Sequence, residues 1–193
     1  SPETAVRHGR RDAVRYAGLV ATVALAWRLQ EPVNDALDTA GADRRFTGSR
    51  EEGSDAGNRF PVTSWVADDP DPVDTDEWSL RVGGRVATER TYDLAELPTG
   101  ANERALLDCT SGWYSDHDWQ GVRVGDLLAA ADPDDGAAWV QFRSVTGYRW
   151  SLPIDDARDA MLATRVDGEA LSHGHGFPLR LVAPGRRGFQ WVK

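Results

Sequence analysis

One cysteine, one lysine and one methionine occur in 193 residues. A single thiol excludes an intramolecular disulfide framework and any cysteine-rich zinc site, and it leaves the redox compartment open. Three roles remain for Cys109: inert packing, nucleophile, or a lone soft ligand to a metal whose other ligands come from elsewhere. Lysine is scarcer still relative to its usual share, because Lys193 stands against 21 arginines. P-loop, GxGxxG, GxSxG and HExxH patterns are all missing, which removes the commonest phosphate-loop, dinucleotide, serine-hydrolase and zinc-protease readings. Internal repeats are absent too. The longest charge-free run, YAGLVATVALAW over residues 16–27, has twelve residues, short of the ~20 that a membrane span needs.

What is present is acid. Asp and Glu total 31 against 22 basic residues, for a net charge of −9. A diffuse acidic surface repels nucleic acid and anionic headgroups, so neither is an expected ligand. Asp outnumbers Glu 22 to 9. High Asp with almost no Lys fits a halophile, in whose salt the self-repulsion is screened; a GC-rich genome gives the same bias. Hydrophobic residues at 40% and eight tryptophans exclude a wholly disordered chain and allow one domain with a sizeable core, plus an appendage.

Three regions follow from the patterning. Residues 1–40 form an N-terminal helical segment, with Arg7, Arg10, Arg11 and Arg15 ahead of the apolar run. It reads as a twin-arginine export signal, as the remnant of a membrane anchor, or as a helix packed on the domain. Membrane association would run through residues 12–29. The implied location is membrane-associated or exported, on the extracytoplasmic face, and a cytoplasmic one stays open. Residues 41–60 are rich in Gly, Ser and charge and read as an extended connector, floppy or held by what it wraps. Residues 61–193 read as one α+β domain of short strands and short helices. Trp78 to Val82 alternates, and Gly83-Gly84 followed by Arg85-Val86 predicts a hairpin. Asp93 is a plausible cap for a turn before Leu97. Strands are expected at 138–142, 148–152 and 179–182, with one more starting at Phe189. Helices are expected at 124–131, stopped by Asp132-Pro133, and at 154–162. Ala105-Leu106-Leu107 places the Cys109 thiol at a strand end.

The histidines are His8, His117, His173 and His175. His117 lies eight residues beyond Cys109, and a thiol–imidazole enzyme is one reading. His173-Gly174-His175 lacks a matching metal-ligand partner motif. Arg180 at a strand start suits phosphate, and Pro184-Gly185-Arg186-Arg187-Gly188 is a loop that a ligand can approach closely.

In order, DCTSGW, WQGVRVGDLL, FRSVTGYRWSLPIDDA and HGHGFPLRLVAPGRRGFQWVK resemble the molybdopterin domain of the sulfite oxidase family. Upstream, FPVTSWVADD, WSLRVGGRV and YDLAELP are similar to that family's first strands. The resemblance covers residues 44 to 193, and the Ser-Gly-Trp after Cys109 is closer to small prokaryotic members. It implies a sulfite-oxidase-like molybdopterin-binding fold of mixed short β-sheets with short helices. It implies a molybdenum–molybdopterin cofactor whose metal is ligated by the Cys109 thiolate, and oxygen-atom transfer on a small oxyanion or a sulfoxide. His175, Arg180 and Lys193 match positions that bind the pterin or its phosphate, Ser144 a hydroxyl near the pterin, and Asn58 the incoming segment that passes over the cofactor. Tyr114 and His117 are expected at the substrate mouth as catalytic candidates, and Arg143, Arg186 and Arg187 as candidates to hold an oxyanion. With no second redox centre in the chain, electrons would come from a separate electron-transfer protein or a membrane redox subunit. The alternative is a non-catalytic, cofactor-free descendant that acts as a binding module.

Overall fold

The computed structural model describes residues 15–23, 25, 29, 33, 36, 48–64 and 70–193. Two compact units are distinguished, residues 1–47 and 48–193. Of the first, residues 15–23 are helical, and among the described residues no helix is long and apolar enough to cross a membrane. Arg7, Arg10, Arg11, residues 41–47 of the expected connector, and residues 65–69 lie outside the described residues.

The second unit is built on one long strand. β4 (Ala101–Asp108) and β5 (Trp113–Arg123) form an antiparallel hairpin, in register from Ala101 opposite Gly121 to Asp108 opposite Tyr114. Along the other edge of β5 run β1 (Arg50–Glu51), parallel, and β8 (Met161–Val166), antiparallel. Beyond β8 lie β10 (Arg180–Val182) and the short β9 (Glu169–Ala170). Two hairpins flank this sheet: β2 (Ser79–Val82) with β3 (Arg90–Asp93), and β6 (Trp139–Arg143) with β7 (Arg149–Pro153). The register slips between Gln120 and Gly121. A Cβ on Gly121 would sit 2.0 Å from the Leu162 carbonyl oxygen, so only glycine lets β5 and β8 meet at the bulge.

Helix α1 (Val124–Ala131) buries Val124, Leu127, Leu128 and Ala131, the i, i+3, i+4, i+7 stripe of a helix lying on a core. It ends at Asp132, which adopts the left-handed conformation and donates its N–H to Leu128 O before Pro133. Helix α2 (Ile154–Asp159) opens on Asp155 and Asp156, whose charges suit the positive end of the helix dipole. Trp119, Val122, Met161, Val166 and Val182 are fully buried at the centre.

Three expectations need correction. The second hairpin strand is β3, not Arg85-Val86: Val86 leaves to bridge Pro133, and Ala87 donates to Asp132 O. The second helix stops at Asp159, because Met161 and Leu162 pair with Arg123 and Val122 as a central strand. Residues 188–190 form a 3-10 turn, not a strand. The described part of the expected connector, 48–60, is held against the β4–β5 hairpin, as the second of its two readings has it, with Arg50 and Glu52 donating N–H groups to Gly112 and Tyr114 carbonyls.

Candidate cofactor site

Cys109 sits at the tip of the β4–β5 hairpin. The turn closes through Cys109 N–H to Trp113 O at 2.9 Å, and Gly112 takes φ +89 to complete it. The loop 184–191 presses against the back of this turn. Gly188 fits closely there, since a Cβ would meet Cys109 Cα and Leu107 Cδ1 at 3.2 Å and push them back by a few tenths of an ångström. Arg187 donates to the Cys109 carbonyl and to the Asp108 carboxylate, and Ser49 donates to the other oxygen of Asp108. The thiol is therefore held by backbone and charge from three segments.

The sulfur faces a cavity of about 210 Å³ lined by Phe60, Thr63, Cys109, Trp113, Tyr148, His175, Arg180, Phe189, Trp191 and Lys193 among others, with no Asp or Glu among the described residues of its wall. A larger, mostly apolar groove of about 920 Å³ also has Arg180 and Lys193 in its lining and falls within the ~300–1,000 Å³ usual for ligand pockets.

Arg180 is the unusual group. β10 points it inward among three rings, its guanidinium carbon 5.2 Å from the Trp119 ring centre and 5.9 Å from those of Phe60 and Trp191. Nη1 donates to His175 O at 3.1 Å, and among the described residues Nε is the one buried side-chain nitrogen or oxygen without a partner. Burial pulls its pKa down to about 10, while the Cys109 sulfur acts the other way. A desolvated guanidinium with no carboxylate beside it among the described residues is a standing demand for an anion.

His175 packs on Phe60 with ring centres 3.9 Å apart. A carbonyl can only accept, so the contact of Nε2 with Phe60 O at 2.8 Å puts the proton on Nε2. Nδ1 then accepts from Ser172 Oγ at 2.7 Å. Burial first, then the charges of Arg180 and Lys193, lower the His175 pKa to about 4, so the ring is neutral near pH 7. Lys193 Nζ reaches Gly174 O and Ser64 Oγ. Burial raises the Tyr148 phenol, which donates to Phe189 O at 2.5 Å.

The structure thus gathers Cys109, His175, Arg180 and Lys193 around one cavity and leaves the other sequence-predicted residues outside it. Asn58 does not line it; Asn58 Oδ1 accepts from Ser172 N–H, and Nδ2 donates to Ala170 O, so it anchors the segment that carries Ser172 and His175. Ser144 lies in the exposed β6–β7 turn, bonded to Thr146, and lines the larger groove. Tyr114 and His117 are buried members of β5, not mouth residues.

His117 bonds Ser115 Oγ at 2.6 Å and Asp167 Oδ2 at 2.7 Å, with the Phe60 ring 4.6 Å away. Burial pushes the Asp167 carboxyl up, but the His117 ring and the Asp118 and Gly57 N–H groups together hold it below the usual carboxylate value. Ser115 and His117 are fully buried, so the trio is a structural knot and not a hydrolytic triad. His117 also pairs with Ala105, four residues from the thiol, or about 13 Å along a strand. With both ring nitrogens committed, it cannot serve as the base of Cys109. Of the candidate oxyanion holders, Arg186 pairs with Asp156, Arg187 with Asp108, and Arg143 lines the larger groove. Sequence reasoning missed Thr63, Trp113, Tyr148 and Trp191 as lining residues, although all four stand in the ordered blocks that carry the resemblance.

The donor set suits a group that brings its own ligands. Among the described residues no three His, Cys, Asp or Glu side chains converge on one point, so a metal on Cys109 needs most of its coordination from elsewhere. The unpartnered Arg180 Nε and a described wall without acids suit the anionic remainder of such a group.

Comparison with known proteins agrees. The family profile described as "Oxidoreductase molybdopterin binding domain" matches residues 67–193. The chain is 34% identical over 130 residues to a protein described as the uncharacterized oxidoreductase YuiH of Bacillus subtilis (strain 168), covering 65% of each. It is 32% identical over 136 residues to the protein-methionine-sulfoxide reductase catalytic subunit MsrP of Xanthomonas axonopodis pv. citri (strain 306), covering 60% of this chain and 42% of that one. The crystal structure of the sulfane dehydrogenase SoxCD from Paracoccus pantotrophus matches with a TM-score of 0.58 at 26% identity, over 63% of this chain and 37% of that one. The chain therefore spans less than two thirds of the length of each of these relatives.

Proposed function

The chain belongs to the sulfite oxidase-type family of molybdopterin-binding oxidoreductase domains, and from that premise we propose that it binds the molybdenum cofactor and reduces a sulfoxide by oxygen-atom transfer. When bound, the cofactor supplies a metal that changes oxidation state by two electrons as an oxygen atom is exchanged. In the net conversion a sulfoxide takes up two electrons and two protons, its sulfur–oxygen bond breaks, and a thioether and one water result. Cys109 would give the metal its one protein sulfur. Arg180 and Lys193 would face the anionic part of the cofactor, and neutral His175 would hold the Phe60 carbonyl and so the wall.

One observation carries the choice of substrate: among the described residues, no Arg or Lys beyond Arg180 and Lys193 lines the cavity that holds Cys109. On this reading both of these cations would be taken up by the cofactor's anionic groups. The rest of the wall is Phe60, Pro61, Val62, Thr63, Leu107, Thr110, Trp113, Tyr148, Phe189 and other uncharged residues. Such a mouth suits an uncharged sulfoxide better than a sulfur oxyanion, whose desolvation nothing there offsets. The MsrP relative carries protein-methionine-sulfoxide reductase in its name, in line with this reading. Electrons would arrive from a separate protein or membrane subunit, and residues 12–29 are the proposed route to an extracytoplasmic membrane surface.

The test is molybdenum and pterin content of purified protein from a cofactor-producing host, then oxidation of a reduced viologen dye by methionine sulfoxide. We expect about one molybdenum per chain and dye turnover, both lost in Cys109→Ser while circular dichroism stays unchanged. Protein without molybdenum, or protein that oxidises sulfite and ignores sulfoxides, would refute the proposal.

A further inference from the structure

Two hydroxyls meet the Cys109 sulfur. Ser111 Oγ lies 3.3 Å from Sγ and Thr63 Oγ1 3.7 Å, both within hydrogen-bond range of a large, polarisable acceptor. They come from different places. Ser111 sits in the same tight turn, two residues on; Thr63 is 46 residues earlier, in the segment that forms one wall of the cavity. Arg187 on the Cys109 carbonyl and the close fit of Gly188 behind it fix the turn, so these contacts belong to the built site.

A free thiol has a proton to donate to one of these hydroxyls. A thiolate bonded to a metal has none, so a hydrogen bond at either contact can run only from hydroxyl to sulfur. Each is a single-bond rotor on an exposed residue, and reorienting it breaks no buried contact. A hydrogen bond to a metal-bound thiolate draws electron density from sulfur, weakens its donation and favours the more electron-rich, reduced metal. We infer that Ser111 and Thr63 are tuning residues: by hydrogen bonding to the Cys109 sulfur they raise the potential at which the site accepts electrons. The inference rests on the proposed molybdenum ligation by Cys109. It adds what that reading leaves open, namely why hydroxyl residues flank the one sulfur of the chain's only cysteine.

The experiment uses the full chain loaded with cofactor, as wild type, Ser111→Ala, Thr63→Val, the double variant and Ser111→Thr. Molybdenum per chain is measured first, then the midpoint potential by a redox titration followed by paramagnetic resonance. Each single loss is expected to disfavour the one-electron reduction by up to about tenfold, a negative shift of up to ~59 mV. The shift should be larger for Ser111→Ala, whose contact is shorter, roughly additive in the double variant, and reversed in Ser111→Thr, with metal content unchanged throughout. Full metal content with one common midpoint in all five proteins overturns the inference and leaves the proposed function standing. Variants that lose metal while the loaded fraction keeps the wild-type midpoint also overturn it, because the hydroxyls then hold the cofactor rather than tune it. A wild-type protein without molybdenum overturns the proposed function and this inference together.

Discussion

Replacing Arg180 with methionine should separate the stability of this domain from its capacity to bind a cofactor. The guanidinium is buried, has no carboxylate partner among the described residues and leaves Nε unbonded. Its pKa of about 10, well below the ordinary arginine value, corresponds to about 3 kcal/mol of unfavourable burial. Above about pH 10 the unfolded chain binds more protons than the folded one, so the penalty is relieved only as pH rises past 10 and is complete at neutrality. Methionine drops the charge and ends about where Nε stood, short of the guanidinium's place among Phe60, Trp119 and Trp191, and its flexible thioether packs favourably on such rings. Against the relief stand the contacts of the cation with those rings and its bond to His175 O, together about 2 kcal/mol. The net expectation for cofactor-free protein at pH 7 is a gain of about 1 kcal/mol, or ~2–4 °C in Tm, read by guanidinium chloride unfolding and calorimetry. The same variant should lose molybdenum at least tenfold, because the anion loses a charge-assisted hydrogen-bond partner. A paired buried arginine behaves in the opposite way, since its removal costs ~3–5 kcal/mol. A loss of that size, or a variant that keeps its metal, would refute the reasoning.

Three further outcomes follow from the same geometry. Gly176 has φ +101, and a Cβ there would lie 2.6 Å from Lys193 Cβ and 3.0 Å from Arg180 Cβ; Gly176→Ala should cost about 2–4 kcal/mol in denaturant unfolding and reduce cofactor retention. His175 has a folded pKa of about 4 against about 6.5 unfolded, so the unfolded chain binds more protons between these values. Stability should fall as pH drops from 6.5 to 4, and His175→Gln should flatten that slope in a pH series of melting curves. Asp167 accepts N–H groups from Gly57 and Asp118 and the bond to His117. Asp167→Asn, with one acceptor oxygen in place of two, should lose about 2–4 kcal/mol, with the difference from wild type shrinking as pH falls through the lowered carboxylate pKa.

Where the buried face of an element is apolar, the sequence announced it. Helix α1 was legible to the residue, because Val124, Leu127, Leu128 and Ala131 keep helical spacing and Asp132-Pro133 ends it. β5 was not legible. Its buried face carries Ser115 and His117 between Trp113 and Trp119, and two polar residues at inward positions hide the alternation. They are tolerated there because Asp167, 50 residues away, completes their hydrogen bonds, and no local pattern contains that partner. The same partner explains why His117 looked available for catalysis. β8 was misread for a different reason: the apolar residues of 154–162 fit helical spacing past the point where Ala160 and Met161 turn into the sheet. Of the site, the four groups that the structure gathers stood in ordered blocks around Cys109 and before Lys193. Ser144 stood in such a block too and Asn58 two residues ahead of one, yet they support the walls or face elsewhere.

The distribution of satisfied and unsatisfied groups makes a stronger case than any motif. Buried His117 has both nitrogens bonded, buried Asp108 has both oxygens bonded, and buried His175 has its tautomer fixed from both sides. The fold can therefore satisfy polar groups wherever it buries them. Arg180 stands apart: a cation sealed among rings, with one nitrogen unpartnered, beside the only thiol. A cofactor-free binding module would gain from replacing it with an apolar side chain, which is what Arg180→Met tests. That the chain keeps the charge, and keeps acids out of the described wall around it, makes sense if the anion arrives with the metal that Cys109 is placed to hold.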